Sequence, residues 1–576
     1  MKLLDSRRLT GPGLVLSGPG AVLDISLEGR QPDQVIAAWR SAAQRLLGDV
    51  GWNGERLASR MFAGGVSLAL TAPVDALYAA TELNERAWDA AASSLGEAPP
   101  RDYASDLAAI RLSIATESNP KLVALRQAAR ARGVTFLAGE DQVSVGSGAG
   151  ALVWPDTDLP APDTVEWNRV YDVPIALVTG SNGKTTVVRL LAAMLREAGL
   201  TPGYSSTDGV VAGTSLIGEG DFSGPSGVRL ALRHPEVQAA VLETARGGLL
   251  RRGLAVENAR AAVVTNVAED HLGEFGVESL EELGETKLLV AKGLAADGIL
   301  VLNADDPRLV ARGAGAGRTI WWFSLDPDSP VVQSQLERGG TALLADEDRI
   351  VLARAGKRDT VLTLTEVPIT IHGTARHNVA NVLAAAAAGT ALGLELPIIA
   401  AALRKFGRHQ NDNPGRANLL ELGGIHVLID YAHNPHGMSA LVSLAQNIPA
   451  RRRLLMVGQA GDRSDEAIRG LAVAAWSLSP DHVVLKEMDE YLRGRAPGEV
   501  PALLEQEFVR LGLSPASITR AGPDLAGVRT ALEWARPGDL LVLAVHQDRE
   551  AIVELLNQLR AEAWRAGEPL PAAAVS

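Results

Sequence analysis

The stretch 178-VTGSNGKTTVVRLLAAML-195 decides the fold of the central part of the chain. A short apolar strand runs into a glycine-rich turn and then into a helix, which is how a phosphate-binding loop is built. The usual P-loop spacing places its first glycine at position 178, but Val178 stands there and the loop glycines are Gly180 and Gly183. The stretch therefore predicts a nucleotide site with an unusual glycine spacing.

The loop and the first helical turn carry residue types that hold a nucleotide phosphate. Their backbone amides are expected to point at phosphate oxygens, and the helix presents its positive N-terminus. Lys184 adds a point charge, and Thr185 places a hydroxyl where a magnesium ligand is needed. The alternative is an ordinary strand-turn-helix, but the lysine and two hydroxyls favour nucleotide binding. The predicted loop comprises Gly180, Ser181, Asn182, Gly183, Lys184, Thr185 and Thr186.

Short apolar strands alternate with helical patterns on both sides of this loop. The strands are expected at 174–180, 239–245, 261–267 and 298–303, with helices at 185–199 and 279–294. This alternation predicts a mostly parallel, doubly wound sheet in an α/β domain.

The flanking regions predict two further domains. Strand-like alternation at 21–29 and helical patterns at 33–50 and 121–133 indicate an N-terminal α+β domain, which ends in a proline-rich linker at 155–164. A second break at 407–416 precedes strands expected at 425–431, 453–459, 482–487 and 540–546. These strands predict a smaller, Rossmann-like α/β domain. The predicted domains are 1–165, 166–410 and 411–576.

Composition excludes several classes of function. The 576 residues are 47% hydrophobic and 21% charged, and no apolar run approaches the roughly 20 residues of a membrane span. The net charge of −13 makes nucleic acid a poor partner. The chain has no cysteine, so a metal would need oxygen or imidazole ligands. The first residues lack a signal-peptide core, and we expect a cytoplasmic protein.

Two strand ends supply metal-ligand side chains. Glu243 ends one predicted strand and His271 follows another, so both are expected at the carboxyl edge of the sheet, where α/β sites lie. Taken singly, a helix-capping acid or a satisfied core histidine is the more common interpretation. Lys287, on the helix after His271, is by physics alone expected to be solvated.

Six motifs in order resemble the Mur ligase family. They are TGSNGKTT (179–186), ETARGGLLRRGL (243–254), TNVAEDHLG (265–273), RHNVANVLAA (376–385), NPGR (413–416) and DYAHNP (430–435). The family loop is G-x-x-G-K-T-T, which accounts for the glycine spacing. The resemblance implies a three-domain, ATP-dependent amide ligase.

Within the family, the likeness is greatest to the Mur-like half of the cyanophycin synthetases. The segments 461-GDRSDEAIRG-470 and 486-KEMDEYLRGRAPGE-499 carry it, and 8-RLTGPG-13 weakly resembles the start of those enzymes. Those enzymes carry an ATP-grasp domain before the P-loop, whereas this chain passes from residue 155 almost directly to the loop. The half that remains is the one that resembles an arginine-adding enzyme.

The resemblance also implies roles for individual residues. Lys184 holds the β- and γ-phosphates of ATP, and Lys287 matches a position that is often carbamylated. Mg²⁺ is held by Thr185, Glu243 and His271. The nucleotide base meets Asn378 and Asn381, preceded by His377, and the phosphates and ribose meet Arg416 and Asp430. His433 lies in the same motif and is a candidate substrate residue, and a core or capping histidine is equally compatible with the sequence.

Charged segments suggest where the two substrates bind. Glu487, Asp489 and Glu490, with Arg493 and Arg495, would pair a guanidinium and a carboxylate, as an arginine-like amino acid requires. A solvated charged loop is the alternative. By resemblance, the turn at Arg246, Gly247 and Gly248 holds an acidic acceptor.

The sequence thus predicts a ligase that joins an amino acid to an acidic peptide or polymer, using ATP and Mg²⁺. A nucleotide-binding regulatory subunit that acts with a separate ATP-grasp or amidating enzyme is an alternative. Glutamate addition, as in folylpolyglutamate synthases, is another. A homo-oligomer and a separate ATP-grasp partner are both compatible with these expectations.

Overall fold

The computed structural model describes residues 1–139, 141–269 and 272–571. The chain divides into two compact units. The first comprises 1–267, 272–362 and 380–402, and the second comprises the described residues of 268–271, 363–379 and 403–576. The predicted boundary near residue 165 falls inside the first unit. The division into three domains stays a prediction.

The N-terminal region of the first unit is an antiparallel sheet covered by helices. The strand order is β1-β2-β4-β3, and the indole N–H of Trp39 donates to the buried Asn84 side chain at 2.9 Å inside its core. This confirms the predicted α+β region. Its elements are β1 (Lys2–Leu9), β2 (Gly20–Ser26), α1 (Pro32–Asp49), β3 (Leu57–Phe62), β4 (Gly65–Thr71), α2 (Leu77–Ser94), α3 (Tyr103–Glu117), α4 (Pro120–Ala131), β5 (Phe136–Ala138), β6 (Gln142–Val145) and β7 (Leu152–Pro155).

The central sheet has the order β11-β10-β9-β12-β8-β13-β14-β15-β16-β17-β18, and the pairs from β9 to β16 are parallel. The doubly wound, mostly parallel sheet is confirmed. Its elements are β8 (Ile175–Thr179), α5 (Lys184–Glu197), β9 (Pro202–Ser206), β10 (Gly209–Ala212), β11 (Ser215–Gly218), α6 (Pro225–Arg233), β12 (Ala239–Glu243), α7 (Arg246–Arg252), β13 (Ala259–Val264), α8 (Leu280–Leu288), β14 (Leu294–Asn303), α9 (Pro307–Gly313), β15 (Thr319–Ser324), α10 (Pro330–Glu337), β16 (Thr341–Asp346), β17 (Arg349–Arg354) and β18 (Lys357–Thr363).

The last part of the chain forms a second α/β sheet of order β19-β20-β24-β21-β22-β23, which is parallel except for β19. This confirms the predicted Rossmann-like region. Its elements, with the two helices before it, are α11 (Arg376–Ala391), α12 (Leu396–Lys405), β19 (Asn418–Leu422), β20 (Ile425–Asp430), α13 (Pro435–Gln446), β21 (Arg453–Val457), α14 (Asp465–Trp476), β22 (His482–Leu485), α15 (Glu499–Arg510), β23 (Ile518–Arg520), α16 (Asp524–Trp534), β24 (Leu540–Ala544) and α17 (Arg549–Ala561).

The strands that position the candidate site are apolar because both of their faces are covered. Every residue of β8 and of β12 is buried, as expected for central strands of a parallel sheet between helices. β8 lies between β12 and β13, so the chain leaves three neighbouring strands at the same edge. Among the helices of the described residues, none has the length and apolar character needed to cross a membrane.

Candidate functional site

The glycine-rich loop joins β8 directly to α5. Gly183 precedes the helix with φ 85°, a left-handed conformation that favours glycine. A Cβ atom at Gly183 would overlap Oδ1 of Asn381, and one at Gly180 would overlap Oγ1 of Thr265. Both glycines are therefore required by close contacts as well as by the turn.

Two residues after β13 hold the loop in place, and sequence reasoning missed both. The carbonyl of Asn266 accepts from the Ser181 amide at 3.0 Å, and its Oδ1 accepts from the Asn182 amide at 3.0 Å. The Thr265 hydroxyl donates to the Asn182 carbonyl at 2.6 Å. The amides of Ser181 and Asn182 donate to Asn266, so the expectation that every loop amide points at a phosphate oxygen does not hold for these two. The signal was present in the motif TNVAEDHLG, whose first two residues do this bracing.

Lys184 is the first residue of α5, where the helix dipole is positive. Its ammonium donates to the carbonyl of Ser181 at 3.0 Å, so the side chain folds back over the loop. The cation and the helix N-terminus therefore lie on the same small cradle, which suits a polyanion such as a nucleotide phosphate.

A hydroxyl and a carboxylate meet beside the loop. Thr185 Oγ1 donates to Oε2 of Glu243 at 2.8 Å, and Glu243 is fully buried at the end of β12. The Thr207 hydroxyl lies 3.3 Å from that of Thr185. Hard oxygen donors of this kind are the ligands that Mg²⁺ prefers, so the residues present fit that ion. Among the described residues, no three His, Asp or Glu side chains group as a metal site, and His271 lies outside the described residues.

Lys287 is buried on α8, with 2% of its surface exposed. The expectation of a solvated lysine is wrong, because its helix turns this side chain toward the interior rather than outward. Burial of a lysine is costly unless its charge is compensated or removed. Helical periodicity alone does not predict this burial.

The two asparagines predicted for the nucleotide base lie one turn apart on α11. Asn381, in the first unit, reaches Gly183 of the loop. Asn378, in the second unit, is buried and donates from Nδ2 to the carbonyl of Ile369 at 3.0 Å. Asn381 thus supports the loop, whereas Asn378 supports the backbone before its own helix.

The ARGG segment forms α7 immediately after β12. Arg246 is buried and pairs with Glu274 at 2.5 Å. A Cβ at Gly248 would approach the Cα of Gly224 to 3.0 Å, whereas one at Gly247 would meet open space. The second glycine is therefore the one that packing requires, and there is open space beside Gly247.

The second unit places Asp430 and Arg416 together. Asp430 ends β20, and its Oδ2 accepts from the Ala417 amide at 2.8 Å. Burial raises the pKa of Asp430 to about 6, although backbone N–H groups and the Arg416 guanidinium oppose the rise. The Arg416 guanidinium donates to the Pro414 carbonyl at 3.2 Å and lies 5.5 Å from the centre of the Tyr431 ring.

His433 follows in the same turn as Asp430. Its Nδ1 lies 3.2 Å from the Tyr431 carbonyl, and its ring meets the Tyr431 ring edge-on with centroids 5.5 Å apart. The His433 carbonyl accepts from Gln459 Nε2 at 2.9 Å. The turn from 430 to 433 is thus held by hydrogen bonds to its own backbone.

The charged segment after β22 divides into engaged and exposed groups. Glu487 accepts from the Gly498 amide at 2.5 Å, and Arg495 donates to the carbonyls of Gly461 and Arg463, so both stabilise the local loop. Asp489 is exposed in a short helical turn, and the exposed Arg493 pairs with Asp462. Of the predicted substrate residues here, Asp489, Glu490 and Arg493 are the exposed ones.

Comparison with known proteins agrees with the six motifs. The family model of the Mur ligase middle domain matches residues 178–389, and that of the Mur ligase glutamate ligase domain matches 415–545. The chain is 39% identical to the cyanophycin synthetase of Trichormus variabilis over 59% of this chain and 37% of that protein. It is 37% identical to that of Geminocystis herdmanii over 68% of this chain and 44% of that protein. The chain therefore spans less than half the length of these relatives.

A solved structure supports the fold. FolC of E. coli, in complex with DHPP and ADP, matches 67% of this chain and 89% of its own with a TM-score of 0.50 and 19% identity. Together the two family models match more than half of the chain and include the loop and Glu243. The resemblance read from the motifs is confirmed: the chain belongs to the Mur ligase family.

Proposed function

We propose that this chain is an ATP-dependent amide ligase that activates a carboxylate as an acyl phosphate and joins it to the amine of an amino acid. The observation that carries the proposal is the 2.8 Å contact between Thr185 and the buried Glu243, beside a loop that Lys184 closes. A structural turn does not need a buried carboxylate next to the hydroxyl that follows its lysine. Membership of the Mur ligase family supports the same conclusion.

The chemistry explains why ATP is needed. A free carboxylate does not accept an amine at neutral pH, because oxide is too poor a leaving group. A carboxylate oxygen attacks the γ-phosphorus of ATP and gives an acyl phosphate and ADP. The amine then attacks the acyl carbon, and phosphate leaves with the carboxylate oxygen. The protein contributes mainly positioning and neutralisation of charge.

Residues of the loop and of the neighbouring elements are proposed to bind the phosphates and the metal ion. Lys184 holds the β- and γ-phosphates, and the N-terminus of α5 faces the same charge. Thr185 and Glu243, with His271, would hold Mg²⁺, which neutralises the phosphate oxygens. By the family resemblance, Lys287 is proposed to be carbamylated; its side chain is buried on α8.

In the second unit, we assign Arg416 and Asp430 to the nucleotide and His433, in the same turn, to the substrate. Asn378 and Asn381 complete the nucleotide contacts. These assignments rest on the family resemblance.

The substrates are proposed to be an acidic peptide or polymer and an arginine-like amino acid. Identity to cyanophycin synthetases supports this choice. Arg246 and Gly247 would meet the acidic acceptor, while Asp489 and Arg493 would meet the guanidinium and the carboxylate of the amino acid. A separate ATP-grasp partner would supply the other ligation of such a polymer.

A screen of amino acids against short acidic acceptors, read by mass spectrometry, tests the proposal. We expect an ATP-dependent mass gain equal to one amino acid less water for at least one pair, with one ADP formed per bond. Lys184→Met is expected to reduce this activity by about a hundredfold or more. The matched control, Lys357→Met on an exposed strand, is expected to change nothing. Full ligase activity in the Lys184→Met variant would contradict the proposal. So would the absence of product from every pair, and that result would favour a regulatory subunit.

A further inference from the structure

A buried cluster of charged groups lies at the carboxyl edge of the second sheet, outside the residues discussed so far. Lys486 follows β22, Asp524 begins α16 and His546 follows β24. The side chains of Lys486 and Asp524 are fully buried, and their ion pair is 2.5 Å long. A buried ion pair is weak evidence for stability, because desolvation offsets much of its attraction. Because the pair lies at the carboxyl edge of the sheet, where α/β sites are found, a role in the site is considered.

The hydrogen bonds determine the protonation of the cluster. The Lys486 ammonium donates to Asp524 Oδ1 and to His546 Nδ1, the latter at 2.8 Å. His546 Nε2 lies 3.2 Å from the Ala432 carbonyl, which can only accept, so Nε2 carries the proton. Asp524 Oδ2 accepts from the amides of His546 and Gln547. His546 is therefore a neutral ring. It accepts a hydrogen bond from Lys486 at Nδ1 and donates one to the Ala432 carbonyl from Nε2, so it connects the lysine to the backbone.

The backbone is shaped to let this contact form. Lys486 follows β22, and its side chain crosses the end of β21 to reach His546, the second residue after β24. A Cβ at Gly458, the residue after β21, would lie 2.6 Å from Cγ of Lys486 and 3.1 Å from its Cε. At the far end, the His546 ring packs edge-on against Tyr431 with centroids 4.9 Å apart. Gly458, Lys486 and His546 thus lie at neighbouring strand ends, and His546 contacts the turn that begins with Asp430.

We propose that Lys486, Asp524 and His546 are positioning residues that fix the turn from Asp430 to His433 for nucleotide binding. The inference rests on the proposed function, since that turn carries the residues assigned to the nucleotide. It adds a device: the cluster locks one tautomer of His546, and that tautomer holds the carbonyl of Ala432. None of the three side chains needs to touch the substrate.

Two variants test this with the full-length chain. Lys486→Met with Asp524→Asn removes both charges while it keeps volume and an acceptor for the two amides. We expect it to fold, because exchange of a whole buried pair is tolerated far better than loss of one partner. We expect its KM for ATP to rise about tenfold, while kcat changes by no more than about threefold. His546→Phe keeps the ring against Tyr431 but loses both hydrogen bonds, and it should show the same change.

The matched control is the ion pair at the opposite end of the same strands. Arg452 and Asp539, before β21 and β24, lie 2.5 Å apart. Arg452→Met with Asp539→Asn should leave KM within about twofold of the wild type. A KM of the Lys486 variant that stays within about twofold, or one that the control matches, would overturn the inference.

A second measurement does not depend on activity. In the ¹⁵N NMR spectrum of histidine-labelled protein, His546 should remain neutral with the proton on Nε2 between about pH 5.5 and 8. Burial and the nearby charges of Lys486 and His433 all lower the pKa of His546. Asp524 and Asp548 raise the pKa of Lys486, so their effect on the ring is through that lysine. In the Lys486→Met/Asp524→Asn variant the ring should begin to take up a proton in this range. A charged or Nδ1-protonated ring in the wild type would contradict the inference even if ATP turnover were absent, and absent turnover alone would contradict only the proposed function.

Discussion

Individual residues of the site are defined by what they contact. Thr185 and Glu243 are 58 positions apart in sequence, yet their oxygens lie 2.8 Å apart because β8 and β12 are neighbours in register. Lys184 owes its place to being the first residue of α5. In the proposed function these contacts preorganise the loop, and preorganisation of this kind lowers the cost of charge development.

Asp430 gives a prediction at this scale. Its pKa is raised to about 6 in the folded protein from an ordinary value near 3.8, so the folded state holds a proton that the unfolded state loses between these values. Stability from this group is present below about pH 4 and is lost as the pH rises through about 6. Asp430→Asn should therefore stabilise the protein at pH 7.5 by about 1–2 kcal/mol and have little effect at pH 4.

Thermal unfolding midpoints at the two pH values measure this difference. The matched control is Glu421→Gln, an exposed carboxylate on the neighbouring strand β19, which should change neither midpoint. The activity of Asp430→Asn should fall at pH 7.5 even though its stability rises. Equal stabilisation at both pH values would show that burial of the charge is not the cause.

At the scale of elements, the N-terminal region holds α7 from its C-terminal side. The Thr10 amide donates to the Arg252 carbonyl at 2.8 Å, the Leu254 amide donates to the Pro12 carbonyl at 2.8 Å, and Arg7 Nε donates to the Leu250 carbonyl at 3.0 Å. The orphan carbonyls at the end of a helix need such partners. The segment that resembles the start of the cyanophycin synthetases thus braces the helix proposed to meet the acceptor.

Gly11 makes this bracing testable. A Cβ at Gly11 would overlap the Leu254 carbonyl, so Gly11→Ala should destabilise the junction by about 1–3 kcal/mol. Gly18→Ala, at a position where a Cβ meets no atom within 4 Å, is the matched control. Hydrogen exchange of the peptides that contain Thr10 and Leu254 should become faster in the first variant only. Equal exchange in both variants would mean that the segment does not hold α7.

Across the whole molecule, sequence patterns predicted the parallel strands well because those strands are apolar throughout. They failed where tertiary contacts outweigh pattern. β1 contains Arg7, which looks like a surface residue but is buried against Asp24 at 2.5 Å. Lys486 lies near the end of a predicted strand, and its charged side chain is fully buried, which no strand pattern indicates. Asn266 braces a loop 84 residues away in sequence, and no local pattern encodes such a contact.

The candidate site shows the same division. The loop and Glu243 were predictable because residue type and position at a strand end suffice to suggest them, whereas the turn at Asp430 was predicted from the family resemblance. The burial of Lys287 and the accessibility of Asp489 were not, because they depend on how each helix or loop packs. The proposal that these separate positions act in one reaction comes from the family resemblance and not from pattern alone.

The most direct test of the account follows oxygen from the acceptor. With an acidic acceptor labelled with ¹⁸O in its carboxylates, and with ATP, Mg²⁺ and the amino acid found in the screen, each amide bond formed should transfer one ¹⁸O to the released phosphate. Acyl phosphate formation requires this transfer, and the nucleotide product should be ADP. Unlabelled phosphate, or AMP as the product, would contradict the claim that this chain activates a carboxylate by phosphorylation.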